Sequence, residues 1–240
     1  MNFQTALQVL YPPRCLSCGV QVDSDFGLCG ACWRDTPFIG GLVCDACGTP
    51  LPGEDGGGPV LCDDCIGLPR PWAQGRAALE YRDNARKMIL GFKHGDRQEL
   101  ARPAARWMAR AACPILAPGM LIAPVPLHWS RMLRRRFNQA ALLAHHLGRQ
   151  TGLPVCPDLL RRTRRTRPLE GVDRAARFAL LADTITVHPR RAPHLHGRPV
   201  LLVDDVMTSG ATLSAATDAC LAAGAAHVRV IVLARVAKNA

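Results

Sequence analysis

The run Val200-Leu201-Leu202-Val203-Asp204-Asp205-Val206-Met207-Thr208-Ser209-Gly210-Ala211-Thr212-Leu213 constrains the fold of this 240-residue chain more than any other segment. Four consecutive apolar residues suit a strand buried on both faces, as in a parallel sheet, and this strand ends on two carboxylates. The turn from Thr208 to Thr212 then offers backbone N–H groups and three hydroxyls at the start of a helical pattern reaching Ala223, where the helix dipole favours a phosphate dianion. Gly210 is expected to let the backbone approach that phosphate closely. Carboxylates repel a phosphate, so Asp204 and Asp205 call for hydroxyls or a metal beside it. A ribose 5-phosphate carries both groups side by side. A plain strand-to-helix turn would account for one capping side chain but not for two acids and three hydroxyls. The common dinucleotide and P-loop glycine patterns are absent from the chain.

Apolar runs at Ala77 to Tyr81, Met120 to Val125 and Val228 to Leu233 read as further buried strands, with a short one at Ile185 to Val187. Helical patterns alternate with them: from an Asp83 cap through Phe92, from Glu99 to Ala112 with an early break at Pro103, from Asn138 to Gln150 with Gly152 as its stop, and from Asp173 to Ala182. Alternating strands and helices predict an α/β fold, a parallel sheet flanked by helices, with its ligand at the carboxyl ends of the strands.

The first seventy residues have a different texture, rich in Cys, Gly, Pro and Asp. Pro69 and Pro71 mark a boundary that divides the chain into residues 1–70 and 73–240. Phe3, Leu7 and Leu10 recur at helical spacing before Pro12 and Pro13. Cys15 and Cys18 are followed by Cys29 and Cys32, and Cys44 and Cys47 by Cys62 and Cys65, all in C-x-x-C pairs. Each such turn brings two sulfurs to one side, and two turns close a tetrahedron around one ion. Spacing leaves sequential and interleaved pairing open. So small and polar a segment buries too little apolar surface to fold unaided, whereas a structural zinc contributes roughly 10–16 kcal/mol of apparent binding free energy. Two structural Zn2+ ions are predicted, and chelation is expected to unfold the residues before Leu68 and spare the rest. Four thiolates per ion leave no open position for catalysis.

No stretch of eighteen apolar residues occurs, and Met1 to Leu10 lacks a basic n-region and a cleavage site, which predicts a cytoplasmic protein without membrane insertion. The formal net charge of +11 is unevenly spread: residues 1–72 carry −5, while the stretch from Arg131 to Arg177 carries +9.

The motif D-D-V-M-T-S-G-A-T resembles the phosphoribosyl pyrophosphate (PRPP) loop of type I phosphoribosyltransferases, and the chain as a whole resembles the ComF family. That family joins a cysteine-rich double zinc-ribbon module to such a domain and is associated with DNA uptake in natural competence. The resemblance also rests on Pro124-Val125-Pro126-Leu127-His128, the basic run Arg131 to Arg136, and Phe137-Asn138-Gln139-Ala140, with Arg136 where family members tend to carry glycine. It implies that Asp204 and Asp205 hold the ribose 2- and 3-hydroxyls. It further implies that Met207, Thr208, Ser209, Gly210, Ala211 and Thr212 hold the 5-phosphate, and that Mg2+ joins pyrophosphate to ribose. The loop carrying Pro126, His128 and Arg131 would face the pyrophosphate, and Lys93 resembles a lysine of the family's catalytic domain that reaches the ligand.

Arg134, Arg135 and Arg136 with Phe137, and Arg161, Arg162, Arg164 and Arg165, form two basic clusters, each beside an expected loop. Such clusters bind nucleic-acid backbone by counterion release, with Phe137 placed to stack on a base; the other reading is a solvated face over core aromatics. The expected function is therefore binding of PRPP or a related nucleotide together with handling of single-stranded DNA in natural transformation, in company with a competence helicase or the uptake machinery. An active Mg-dependent phosphoribosyltransferase on a nucleobase-like acceptor, or a PRPP sensor without chemistry, are the alternatives.

Overall fold

A computed structural model describes residues 12–25, 27–54, 56–94, 97–127, 137–163, 178, 180–181 and 184–237. The segment of the Phe3, Leu7 and Leu10 pattern lies outside them, as do His128, Arg131, Arg134, Arg135, Arg136, Arg164, Arg165 and most of the expected helix from Asp173.

Two short helices, α1 (Gly30–Arg34) and α2 (Asp63–Gly67), belong to the cysteine-rich region. The rest is β1 (Gln74–Glu80), α3 (Asp83–His94), α4 (Ala101–Ala112), β2 (Leu121–Pro124), α5 (Gln139–Thr151), β3 (Leu160–Arg162), β4 (Ile185–Val187), β5 (Pro199–Met207), α6 (Ala211–Ala222) and β6 (His227–Arg235). β1, β6, β5 and β2 form a parallel sheet in that order, and β3 pairs with β4 antiparallel. β5 is thus an interior strand, which is why its apolar run is continuous rather than alternating.

Alternate residues of the strands serve two separate cores. Leu79, Leu201, Val203, Ile231 and Leu233 pack with Phe92 of α3, Met108 of α4 and Leu143 and Leu147 of α5 on one face. Val200, Leu202, Val230 and Val232 pack on the other with Leu213 and Ala216 of α6, and with Cys44, Cys47, Cys65 and Trp72. The two-residue period of a strand sorts its side chains in this way.

Local chemistry sets the helix ends. The Asn138 side chain accepts a hydrogen bond from the Ala140 amide, and Gly152 closes α5 in the left-handed conformation at φ 72°. Pro103 does not break α4, because it stands in the first turn, where a missing N–H costs nothing. The chain enters that helix through a short 3-10 turn at Gln98–Leu100.

The cysteine-rich region lies along the outer edge of the sheet. Phe38 bridges Leu79 antiparallel, the Ile39 amide donates to Ala78 O at 3.0 Å, and the Glu80 amide donates to Pro37 O at 2.9 Å. Further along β1, the Gly75 amide donates to Asp45 O at 2.8 Å, and Arg76 pairs with the Asp45 carboxylate at 2.7 Å. An otherwise open parallel edge is covered by the preceding module. Two glycines make this approach possible: a Cβ at Gly75 would stand 2.4 Å from Ala46 O, and one at Gly48 2.6 Å from the Ala77 nitrogen. Among the described residues no helix is long and apolar enough to cross a membrane.

Candidate functional site

The eight paired cysteines settle into two sequential sites, Cys15, Cys18, Cys29 and Cys32 in one, and Cys44, Cys47, Cys62 and Cys65 in the other. Within each, the four sulfurs lie within 4.8 Å of one another. Cys18 Sγ stands 3.8 Å from Cys29 Sγ, and Cys47 Sγ 3.7 Å from Cys62 Sγ. A zinc–sulfur bond of about 2.3 Å gives a tetrahedral edge of about 3.8 Å, so both sites fit tetrahedral zinc, and an all-thiolate set marks it as structural. Gly19 and Gly48 follow the second cysteine of a pair at φ 79° and 71°.

The sites differ in setting. The first is at the surface, where Cys18 is exposed; in the second Cys44, Cys47 and Cys65 are buried and belong to the core beneath β5. Hydrogen bonding with Cys44 and Cys65 pulls the Cys47 thiol far below its ordinary range, and the positive charge of Arg235 adds to the effect.

Near the carboxyl end of β5 the two aspartates stand within the strand, followed in it by Val206 and Met207. The pairing of Asp204 with Val232 and of Met207 with Arg235 carries the ladder beyond Val203, where the apolar run stops. Their side chains diverge in environment. Asp205 forms an ion pair with Lys93, Nζ to Oδ2 3.2 Å, while the Lys93 ammonium also stands 6.0 Å from the Tyr81 ring centroid. Asp204 accepts a hydrogen bond from the Asp205 amide at 2.8 Å. Part of Asp204 still reaches solvent, yet protein atoms crowd its carboxyl. That burial, with the Asp205 charge second, pushes it up to about 7, against the opposing pull of Lys93 and Arg162.

The turn follows directly. Thr208 is exposed, Ser209 half-buried, and Gly210 buried at φ 85° immediately before α6. Gly210 also meets the preceding module. A Cβ there would meet Arg70 Nη1 at 2.9 Å and Trp72 Cη2 at 3.1 Å, so the glycine accommodates the chain between the two modules. Its positive φ is the second reason.

Of the residues singled out from the sequence, the structure gathers Lys93, Asp204, Asp205 and the turn at one end of the sheet. Pro126 is buried just past β2, beside Val125, whose amide donates to Val203 O at 2.9 Å. Phe137 is half-buried against Phe92, with centroids 5.9 Å apart. Arg161 and Arg162 sit on β3, Arg161 exposed and Arg162 near enough for its charge to lower the proton affinity of Asp204. Grooves of about 480 Å3 between β4 and α6, and of about 570 Å3 beside the first zinc site, include neither the aspartates nor the turn.

Two residues of this site went unnoticed in the sequence. Arg235, buried at the end of β6, donates through Nη1 to Met207 O at 3.2 Å and Thr208 O at 2.6 Å. Arg70, between the boundary prolines, donates to Ser209 O at 2.7 Å and to Cys65 Sγ at 3.4 Å. Arg70 did carry a faint signal, being one of only three basic residues among the first 72.

Residues 6–66 match the double zinc ribbon domain family, and residues 140–240 match the phosphoribosyl transferase domain family. DNA utilization protein YhgH of Escherichia coli (strain K12) is 29% identical over 216 residues, covering 88% of this chain and 91% of that protein. Competence protein F of Haemophilus influenzae is 27% identical over 231 residues, covering 92% and 96%. Competence protein ComFC of Bacillus subtilis (strain 168) is 25% identical over 213 residues, covering 84% and 81%. With two four-cysteine zinc sites packed against a parallel sheet whose interior strand β5 carries paired aspartates near its carboxyl end, the chain joins a double zinc ribbon to a phosphoribosyltransferase-like domain and is similar over most of its length to proteins named for competence and DNA utilization.

Proposed function

We propose that this protein binds PRPP, or a related phosphoribosyl ligand, at the carboxyl end of β5 and handles single-stranded DNA during natural transformation. The observation that carries the first half is the placement of Asp204 and Asp205 near the carboxyl end of β5, whose last residue leads into the turn that opens α6. An ionised carboxylate accepts hydrogen bonds from the ribose hydroxyls, and the turn amides and the α6 dipole take the 5-phosphate. Lys93 neutralises one aspartate, so the pair does not repel the anionic ligand outright. Mg2+ would arrive with the pyrophosphate and shield its charge; the residues described here hold the sugar and phosphate ends.

The DNA half is supported by the names of the relatives and by the +9 carried between Arg131 and Arg177. Arg161 offers an exposed cation in that stretch. Counterion release would make the affinity electrostatic and strongly salt-dependent.

Calorimetry with Mg-PRPP tests the first half. Binding by the native protein and none by the Asp204→Asn, Asp205→Asn double variant, with the same far-ultraviolet circular dichroism, supports the reading; heat from both proteins alike rejects it. Screening nucleobases with Mg-PRPP for pyrophosphate release separates a transferase from a protein that only binds.

A further inference from the structure

The second zinc site and the turn after β5 are joined by a short chain of bonds. Cys65 Sγ accepts from Arg70 Nε at 3.4 Å, and Arg70 Nη1 reaches Ser209 O at 2.7 Å. The guanidinium carbon lies 5.5 Å from the Trp72 ring centroid, and Trp72, buried, anchors itself to the second ribbon through Nε1 to Ala46 O at 2.6 Å. On the other side Arg235 holds Met207 O and Thr208 O, and the backbone amide of Val236 donates to Met207 O at 3.0 Å. Three successive carbonyls, those of Met207, Thr208 and Ser209, therefore point at two guanidinium groups.

In a planar trans peptide the carbonyl and the next residue's N–H point in opposite directions. Drawing those three carbonyls into the protein turns the amides of Thr208, Ser209 and Gly210 away from it, as successive donors at the mouth of α6. Such a row is a nest for an oxyanion. The module boundary at Pro69 and Pro71 thus carries a side chain with work at both ends.

We propose that Arg70 is a positioning residue that couples the second zinc site to the phosphate-binding turn. Zinc fixes the Cys65 thiolate, the thiolate holds Arg70, and Arg70, with Arg235, aims the turn amides at a phosphate monoester. A hydrogen bond to a sulfur that coordination holds in place loses its fixed anchor when the site is emptied, so emptying the second site slackens the turn. The first site has no such bond to the turn among the described residues.

This rests on the reading of the turn as a phosphoribosyl pocket, and two measurements keep the two apart. Hydrogen exchange of residues 207–212 is followed in the zinc-loaded, ligand-free protein and in Arg70→Gln with equal zinc content. Mg-PRPP affinity is then measured on both by calorimetry. Faster exchange confined to the turn, with affinity lowered roughly ten- to hundredfold, is expected. Unchanged exchange and unchanged affinity overturn the coupling and leave the pocket intact. A native protein that ignores Mg-PRPP, but whose turn loosens in the variant, overturns the pocket and leaves the coupling.

Should Arg70→Gln fail to fold, the native protein supplies a reciprocal test. Linkage requires that a ligand favoured by zinc also retain zinc. With a zinc-selective chelating dye, saturating Mg-PRPP is expected to slow release from the second site and leave the first unaffected. Equal release from both sites with and without a ligand shown calorimetrically to bind overturns the proposal, a result that a merely structural Arg70 would give.

Discussion

Lys93 and Asp205, from α3 and β5, meet as an ion pair at 3.2 Å, with both side chains largely buried. Their separation in sequence is large, and the pair forms because α3 packs on the same sheet face as Leu201 and Val203. It leaves Asp204 as the acid of the two whose charge is least compensated. Lys93→Met removes a charge that helps Asp204 ionise, so the Asp204 proton affinity rises further. Mg-PRPP binding near neutral pH is expected to weaken and to recover in more alkaline buffer. Calorimetry across a pH series checks it; a loss that is independent of pH assigns Lys93 another part.

Asp204 also governs stability. Its folded pKa of about 7 exceeds the ordinary carboxylate value, so between the two the native state holds a proton that the unfolded chain has released. Stability from this group is therefore full below the ordinary carboxylate value, declines as pH rises through about 7, and levels off above it, the reverse of a salt-bridged aspartate. Asp204→Asn is expected to raise the thermal midpoint above pH 7 by several degrees and to have little effect near pH 4.5. A variant less stable than native at pH 8 contradicts the assignment.

Gly75 admits the Ala46 carbonyl to the face of β1. Gly75→Ala forces these backbones apart and should cost about 1–3 kcal/mol or more, as overpacking of a rigid contact does. Denaturant unfolding measures the loss. Gly19→Ala, where a Cβ has open space but φ is positive, should cost less, about 1 kcal/mol.

Metal removal should have two consequences rather than one. The sequence leads one to expect chelation to unfold the residues before Leu68 alone, but Cys44, Cys47 and Cys65 share a core with Val200, Leu202 and Leu213. Loss of zinc from the second site is therefore expected to lower the stability of the sheet more than loss from the first, whose ribbon meets the other core through Leu16 and accepts at Cys32 O from the Asn84 side chain at 3.2 Å. Cys62→Ser should depress the thermal midpoint of the whole chain more than Cys18→Ser, with calorimetric scans as the measurement.

For the DNA half of the proposed function, affinity for a single-stranded oligonucleotide should fall linearly with the logarithm of salt concentration. Arg161→Ala is expected to reduce that slope by about 0.7, one released counterion on a single strand. A slope that does not change removes Arg161 from the interface.

The sequence by itself determined whatever depends on neighbours along the chain. C-x-x-C turns, the helix from Asn138 with its Gly152 stop, and the apolar run into Asp204 were all legible, because a few bonds of backbone fix the geometry of each. β3 was not, since three residues with two arginines carry no hydrophobic pattern and the strand exists only by pairing with β4. Nor was the true end of β5, which runs to Met207 because β6 accompanies it as far as Arg235. The tertiary structure alone decided the sequential grouping of the cysteines, the burial of the second zinc site beneath the sheet, and the meeting of Arg70 and Arg235 behind the turn. Those arrangements join residues far apart in the chain, and their energies come from shared burial and hydrogen bonds that no local spacing encodes.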